Sequence, residues 1–259
     1  MFHFTFQNLD IAHKLDNASS PKDEYGKHLH PFYELILFLH GDVDYHVEEI
    51  SKHLITGDII LMTPGEYHYA SVDKDVMYER YVLKFPVEIV PEHIRNILKE
   101  KDPFFIGFNR VKNLIISLDR DFSIFSSADF YVIACAKIAE ILVYLANYDK
   151  KASGEITRDF VANIIDYIQV NIKEDLNMDR LSKDLHYSKS YIANEFRMTM
   201  KVPIMKYIRS KKIILAQSMI LQGIKPSKVA EELHFEDYST FYRRYLQETG
   251  ETPSGVKQK

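Results

Sequence analysis

The sequence predicts an α+β protein of two domains, the first built mainly of antiparallel strands and the second built only of helices. Three observations predict it. Short apolar runs rich in β-branched and aromatic residues fill the first third of the chain, apolar residues at helical spacing begin after Pro91, and one short pattern occurs twice near the end. At 259 residues the chain is long enough for two ordinary domains.

The strand-rich region ends near residue 86. Turn signals such as Gly41-Asp42 and Pro64-Gly65 separate its apolar runs. No gap between these runs is long enough for a crossover helix, so the strands should be antiparallel and should form a sandwich or a small barrel. The runs lie at residues 32–39, 59–62 and 76–85.

Helical spacing of apolar residues then predicts two short helices, around residues 94–98 and 114–118, and a long one at 130–148. The apolar residues of the long helix cover a wide arc. Two interpretations are equally open: part of this face mediates dimerisation, or all of it belongs to the core.

Small and polar residues at 151–156 predict a linker between a first domain at 1–150 and a second domain at 157–259. A helix is expected from about residue 157 to 172.

The net charge differs between the two parts of the chain. Residues 155–259 carry 17 Lys and Arg against 14 Asp and Glu, whereas the rest carries 16 against 23. A mildly basic second domain fits contact with nucleic acid, although solvated helix faces would give a similar balance.

The repeated pattern predicts two helix-turn-helix motifs, at about residues 177–198 and 226–247. In each, a small residue (Ser182, Ala230) lets two helices cross closely. A long helix between the motifs, ending near Gly223, would act as a rigid rod that sets their spacing. In the first copy the turn lies at His186, the aromatic plug at Tyr187 and the helix cap at Ser188. In the second copy the same roles fall to His234, Phe235 and Asp237.

Residues 161–253 resemble the AraC/XylS family of transcription regulators over the whole double motif. The resemblance implies two recognition helices that enter successive major grooves, roughly 34 Å apart, on one face of DNA. Matching positions include Tyr191, Phe196, Arg197, Tyr207, Ala216, Ala230, Phe235, Phe241, Arg243, Gly250, Thr252 and Pro253.

The match to the family motif implies base-facing positions on both recognition helices. Asn194 can pair with adenine, and Arg243 can read guanine or hold a phosphate. Basic residues after the first motif should add phosphate contacts. The DNA-binding residues expected are Ser190, Ala193, Asn194, Arg197, Tyr238, Ser239, Tyr242 and Arg243. The basic group is Lys189, Arg197, Lys201, Lys206, Arg209, Lys211 and Lys212, and the expected core aromatics are Tyr191, Phe196, Phe241 and Tyr245.

Three positions depart from the family pattern. Lys201 stands where glycine is usual after the first recognition helix, which puts the local turn geometry in doubt. His234 replaces a common glycine, although histidine tolerates a left-handed backbone better than most residues. Lys212 replaces a common arginine.

Residues 26–41 and 57–68 resemble the two cupin motifs, and the resemblance implies a cupin-like antiparallel β-barrel with flanking helices that senses an effector. His28, His30, Glu34 and His68 match the metal ligands of enzymatic cupins, but a polar effector pocket without metal is favoured, with a structural hydrogen-bond cluster as a third alternative. Tyrosines and carboxylates favour a carbohydrate effector. The expected effector-binding residues are His28, His30, Tyr33, Glu34, Tyr45, His46, Tyr67 and His68.

These features together predict a homodimeric transcription regulator, an activator by family resemblance, that binds double-stranded DNA and a small-molecule effector. The single Cys135 and the absence of any long apolar run favour a cytoplasmic protein without a membrane segment. Two alternatives remain: a metal-dependent cupin enzyme with a DNA-binding appendage, and a regulator controlled by a protein partner.

Overall fold

A computed structural model describes residues 1–17, 26–72, 76–106, 108–148 and 160–255. The chain divides into two compact units, Met1–Ser153 and Gly154–Lys259. The linker predicted at 151–156 lies outside the described residues.

The first unit contains two antiparallel sheets. The large sheet has the strand order β1-β2-β8-β3-β6-β9, and the small sheet has the order β5-β4-β7. The strands are β1 (His3–Phe6), β2 (Leu9–Asn17), β3 (Tyr33–His40), β4 (Val43–Val47), β5 (Ile50–His53), β6 (Ile59–Met62), β7 (His68–Val72), β8 (Met77–Phe85) and β9 (Phe104–Phe105).

The antiparallel pairing is confirmed, but the sheets do not close into a barrel, because no ladder joins them among the described residues. The sandwich that the sequence also predicted describes them better. The central strand β3 shows the reason. Its residues from Tyr33 to Phe38 are all buried, since the large sheet is covered on both faces. Leu35 packs in a core shared with helices, and Ile36 packs in a second core shared with the small sheet. Antiparallel strands, as predicted, therefore form a layered rather than a closed domain.

Three helices cover the large sheet: α1 (Glu92–Leu98), α2 (Asn109–Ile124) and α3 (Ser127–Ala146). All three helices were predicted from the spacing of their apolar residues. α2 is longer than predicted, because only the apolar residues around 114–118 indicated it. The inner face of α3 belongs to the core, whereas its outer face leaves Val132 and Val143 65% and 50% exposed.

The second unit is helical throughout its described elements, as predicted. Its helices are α4 (Phe160–Val170), α5 (Met178–Leu185), α6 (Lys189–Met200), α7 (Ile204–Leu221), α8 (Pro226–Glu232) and α9 (Tyr238–Thr249). The long helix α7 contacts α6 as well as α8 and α9, so it connects the two halves of the unit. Of the helices in the described ranges, none combines the length and the hydropathy that a membrane crossing needs.

Candidate functional site

The first helix-turn-helix motif consists of α5 and α6. His186 makes the turn in the left-handed region, with φ 60°. The Ser182 hydroxyl donates to the Tyr187 carbonyl at 2.6 Å, so this small residue also fastens the turn. The Ser188 hydroxyl accepts from the Tyr191 amide at 3.2 Å and caps α6.

The second motif consists of α8 and α9 and repeats this design. His234 has φ 55°, so both histidines adopt the conformation that the sequence required of them. Asp237 caps α9: its carboxylate accepts from the Thr240 amide at 2.7 Å and from the Thr240 hydroxyl at 2.9 Å. These hydrogen bonds, the one from the amide first, lower the pKa of the Asp237 carboxyl.

The predicted base-facing residues occupy equivalent positions in the two motifs. On α6, Ser190, Asn194 and Arg197 are exposed and Ala193 is half-buried. On α9, Tyr238, Ser239 and Arg243 are exposed, and Tyr242 is half-buried. Ser190, Ala193 and Asn194 on α6 and Ser239, Tyr242 and Arg243 on α9 share the spacing i, i+3 and i+4, which places each trio on one helix face.

Two aromatic residues of the first motif lie at the surface: Tyr191, which was expected in the core, and Tyr187, which was expected to plug the turn. Tyr191 is 45% exposed and Tyr187 is 47% exposed, whereas Phe196 is fully buried. Their rings lie 5.6 Å apart and both contact the Phe160 ring at the start of α4, so three aromatic rings cover one another at the surface. In the second motif the prediction is confirmed, because Phe241 and Tyr245 are fully buried and Phe235 packs against their core.

Lys201 ends α6 in the left-handed conformation, with φ 53°, and its amide donates to the Arg197 carbonyl at 3.0 Å. The turn that was in doubt therefore forms with lysine in place of glycine. A side chain with a Cβ in this conformation carries a local backbone cost.

Lys212 does not belong to the basic surface group in which the sequence placed it. It is only 5% exposed, and its ammonium donates to the carbonyls of Glu174 and Leu233, both at 2.8 Å. Burial lowers the pKa of Lys212, while the nearby Asp175 and Glu174 oppose this change. The lysine on α7 thus joins the segment before α5 to the end of α8, and it holds both motifs on one helix.

In the first unit, the two cupin-like motifs bring four side chains together. His28 precedes β3, Glu34 lies on β3, and His68 begins β7. With His30, they offer imidazole nitrogens and a carboxylate oxygen that all lie within 4.8 Å of one another. This donor set fits a divalent first-row transition metal such as iron, manganese, nickel or zinc.

The ring nitrogens of the three histidines have distinct partners. In each ring, Nδ1 lies within hydrogen-bonding distance of a backbone carbonyl oxygen, which can only accept. Each Nδ1 therefore carries the proton, and Nε2 of His30 and Nε2 of His68 face Oε2 of Glu34, at 2.8 Å and 3.6 Å. The distances to the carbonyls of Gly26, Phe32 and Glu66 are 2.7 Å from His28, 2.9 Å from His30 and 2.9 Å from His68.

Burial and mutual repulsion dominate the electrostatics of this cluster. Burial first, and then the neighbouring His68, lower the pKa of His28 to about 4. Burial also lowers the pKa of His30, against the opposing effect of Glu34. For Glu34 burial acts to raise the pKa, but the contacts with His30, His68 and Lys84 outweigh it and hold the pKa well below the ordinary value.

A cavity of about 60 Å³ opens beside the cluster. Of the predicted wall, it includes His28, Glu34 and Tyr45, whereas Tyr33 lies in the core on the opposite face of β3 and stacks with Phe85 at 5.5 Å. Residues His30, His46, Tyr67 and His68 do not line the cavity itself. Its lining is Lys14, His28, Glu34, Ile36, Tyr45, Ala70, Tyr78, Arg80, Val82 and Lys84.

Sequence reasoning missed the cationic part of this wall. Arg80 is 4% exposed, pairs with Asp16 at 3.0 Å and lies over the Tyr78 ring at 4.1 Å. Lys84 lies 3.8 Å from Glu34. The alternation along β8 could have revealed these residues. Tyr78, Arg80 and Lys84 are separated by even numbers of residues, so their side chains share one face of the strand.

Two family models match this chain. Residues 15–130 match the AraC-like ligand binding domain, and residues 181–259 match a helix-turn-helix domain. Together with the capped double motif, these matches define the class: a DNA-binding transcription regulator with an N-terminal ligand-binding domain. Both domains of this chain are therefore similar to those of AraC-type regulators.

Individual relatives are distant. The HTH-type transcriptional activator RhaR of Escherichia coli is 21% identical over 252 residues, which cover 90% of this chain and 87% of RhaR. YtdP of Bacillus subtilis, an uncharacterised HTH-type regulator, is 27% identical over 97 residues, which are 37% of this chain and only 13% of that protein. A crystal structure of fatty-acid-bound ToxT from Vibrio cholerae is 15% identical, covers 95% of this chain and 92% of ToxT, and has a TM-score of 0.42.

Proposed function

We propose that this chain is an effector-responsive transcriptional activator that reads two adjacent DNA segments with α6 and α9. The equivalence of the exposed faces of these two helices supports it most strongly. Both faces follow a left-handed histidine turn and a capped first residue, and both contact the same long helix. The name of RhaR as an activator supports the direction of regulation.

The proposed DNA contacts divide by chemistry. Asn194 suits a base edge, because its amide both donates and accepts, and Arg243 suits guanine or a phosphate. Ser190 and Ser239, at the other base-facing positions, can bond a base edge or a phosphate through their hydroxyls. The remaining surface contacts are assigned to Ala193, Arg197, Tyr238 and Tyr242.

We further propose that the effector occupies the cavity next to His28 and Glu34. Tyrosine rings and a carboxylate at its wall suit a carbohydrate, as the sequence favoured. Arg80 and Lys84 add positive charge, so within this class we favour a sugar that carries an acid group. We assign the chain a regulatory and not an enzymatic role, in line with its family.

Dimerisation is proposed through the outer face of α3. An apolar stripe runs along this face, while the opposite face of α3 is buried in the core. The stripe consists of four exposed residues at helical spacing, Val132, Ala136, Ala139 and Val143. Sedimentation of the Val132→Glu/Val143→Glu double variant should show monomers where the parent chain is dimeric. Val170→Glu, at a still more exposed valine of α4, is the control.

Titration of the chain against its own upstream DNA at several salt concentrations tests the DNA-binding function. A site-specific regulator should bind this DNA at least about 1,000-fold more tightly than unrelated sequence and should lose affinity steeply as salt rises. Equal affinity for the two sequences would contradict the proposal.

A further inference from the structure

We propose that Lys212 and Ser210 of α7 are positioning residues that fix where the second recognition helix, α9, lies relative to the first, α6. They thereby set the number of base pairs between the two DNA segments that the chain reads together. This inference rests on the proposed DNA-binding function and deepens it, because it assigns the spacing of the two segments to particular side chains.

The first attachment lies at the start of α9. The Lys212 ammonium donates to the Leu233 carbonyl at 2.8 Å, and Leu233 is the C-cap residue of α8, directly before the left-handed His234. The last carbonyls of a helix have no partner within the helix and carry partial negative charge, so an ammonium forms a charge-assisted hydrogen bond there. Lys212 is only 5% exposed, so water competes little for this contact. The ammonium thus holds the turn from which α9 starts.

The same ammonium also reaches the first motif. It donates to the Glu174 carbonyl at 2.8 Å, in the segment that leads from α4 into α5. One charged group therefore joins the entry of the first motif to the turn of the second. Both acceptors belong to the backbone, which cannot change rotamer to follow a movement, so the two hydrogen bonds fix one backbone segment against the other.

The second attachment lies at the opposite end of α9. The Ser210 hydroxyl donates to Oε1 of Glu248 at 2.9 Å, in the last turn of α9. Ser210 is 0% exposed, and a buried hydroxyl needs such a partner. Ser210 and Lys212 are only two residues apart on α7, yet they hold the two ends of α9. A helix held at one end can swing about that point, whereas a helix held at both ends cannot.

The base-facing residues of α9 lie between these two attachments, at Ser239, Tyr242 and Arg243. Apolar packing, for example within the core that contains Ile213 and Phe241, also holds α9 on α7. Hydrophobic association has no preferred direction, however, whereas a hydrogen bond weakens steeply with distance and angle. The two polar attachments therefore determine where the reading face of α9 points.

A fixed α9 has a consequence for the DNA. Each base pair inserted between the two segments moves the second segment by roughly 3.4 Å and rotates it by about 35° around the duplex. A recognition helix that is held at both ends cannot follow this displacement. The affinity of the chain should therefore have a sharp optimum at one spacing of the segments.

The test uses the full chain and duplexes based on its own upstream DNA, in which footprinting has located the two protected segments. One set of duplexes moves the segments apart or together by one base pair, and two further duplexes each keep a single segment. The spacing ratio is the affinity for the natural spacing divided by the affinity for the changed spacing. A parent chain that binds the natural duplex specifically but has a spacing ratio of one would overturn the proposal.

Variants assign the spacing ratio to the two side chains. Ser210→Ala and Lys212→Met should each lower it by at least about fivefold, which corresponds to the loss of one base contact at the natural spacing. Affinity for the single-segment duplexes should stay as in the parent, because each recognition helix keeps its own side chains. Lys212→Arg, which keeps charged donors, and Ser218→Ala, at an exposed serine of α7, should both retain the parent ratio.

Two results would contradict the assignment to Lys212 and Ser210. An equal loss of affinity for all duplexes would mean that these residues contribute to folding alone. An unchanged spacing ratio in the variants, with the fold verified by circular dichroism, would mean that apolar packing positions α9. Ser210→Ala removes a single hydroxyl, so it decides the outcome if Lys212→Met does not fold.

The parent chain separates this inference from the proposed function. If it binds its upstream DNA no more tightly than unrelated DNA, the regulatory proposal fails before any variant is compared, and this inference fails with it. If binding is specific but the parent and the variants share one spacing ratio, the positioning role of Lys212 and Ser210 fails alone.

Discussion

The two helix-turn-helix motifs share a backbone design but differ in how it is stabilised. Both turn at a left-handed histidine and both cap the recognition helix with a side-chain oxygen. The second motif packs the half-buried Phe235 after its turn against a buried core and ends its helix at glycine. The first leaves the equivalent aromatic at the surface and ends its helix at Lys201. Backbone geometry is therefore the repeated feature, and side-chain packing is not.

The largest difference should appear in stability. Phe235→Ala removes a ring that packs on Phe241 at 5.1 Å and should lower the free energy of unfolding by about 2–3 kcal/mol. Tyr187→Ala removes a ring that is 47% exposed and should cost less than about 1 kcal/mol. Urea unfolding measures both. Equal losses would mean that the two motifs are stabilised alike.

The next largest effect is expected on DNA affinity when recognition-helix residues are substituted. Arg243→Ala and Asn194→Ala should each weaken binding to the specific site by about 1–3 kcal/mol, or roughly fivefold to 150-fold. A phosphate contact of Arg243 would also lower the salt slope by about 1, whereas the neutral Asn194 should leave this slope unchanged. Arg244→Ala, at an exposed arginine that donates to Gln247 at 3.1 Å, is the control. Unchanged affinity in the Asn194→Ala variant would remove α6 from base recognition.

Substitutions at the C-terminal ends of α6 and α9 should change the free energy of unfolding by smaller amounts and in opposite directions. Lys201→Gly should raise the free energy of unfolding by about 1 kcal/mol, because glycine adopts the φ of 53° without strain. Gly250→Ala, at φ 73°, should lower it by a similar amount, and no neighbouring atom would clash with the new Cβ. A destabilised Lys201→Gly variant would show that the lysine side chain makes a contact that outweighs its backbone cost.

The smallest expected effect is an acid dependence of the helix cap in the second motif. The folded state lowers the pKa of Asp237, so the stabilisation from this cap is complete above the unfolded pKa of about 3.9 and is lost as pH falls through the lower folded value. Ser188 does not titrate. Asp237→Asn should keep the cap and abolish this acid-dependent loss, which unfolding of the two chains between pH 5 and pH 3 would show. An identical acid profile would contradict the assignment.

Periodicity and turn chemistry were enough to predict most of the fold. The apolar spacing of residues 204–219 predicted α7, and the histidine turns with their caps predicted both motifs, because these features depend on local sequence. Tyr191 shows where local reasoning ends. Its helix was correctly predicted, but its exposure depends on whether another element covers it, which no residue nearby encodes.

The functional sites show the same limit of prediction from local sequence. Lys212 was read as a surface cation, because only the folded chain reveals that two carbonyls distant in sequence converge on it. Tyr33 and Glu34 were placed on one wall although strand alternation separates them, an error that the sequence alone could have prevented. The proton positions in the histidine cluster depend on carbonyl directions, and no sequence pattern reports these.

The most direct test of the central claim is DNA spacing. Footprinting defines the two segments that α6 and α9 protect, and a 5-base-pair insertion between them then rotates one segment by about half a helical turn. The two recognition faces are held by one helix, so affinity for the altered site should fall to that of a site with a single segment. Undiminished affinity for the altered site would contradict the account.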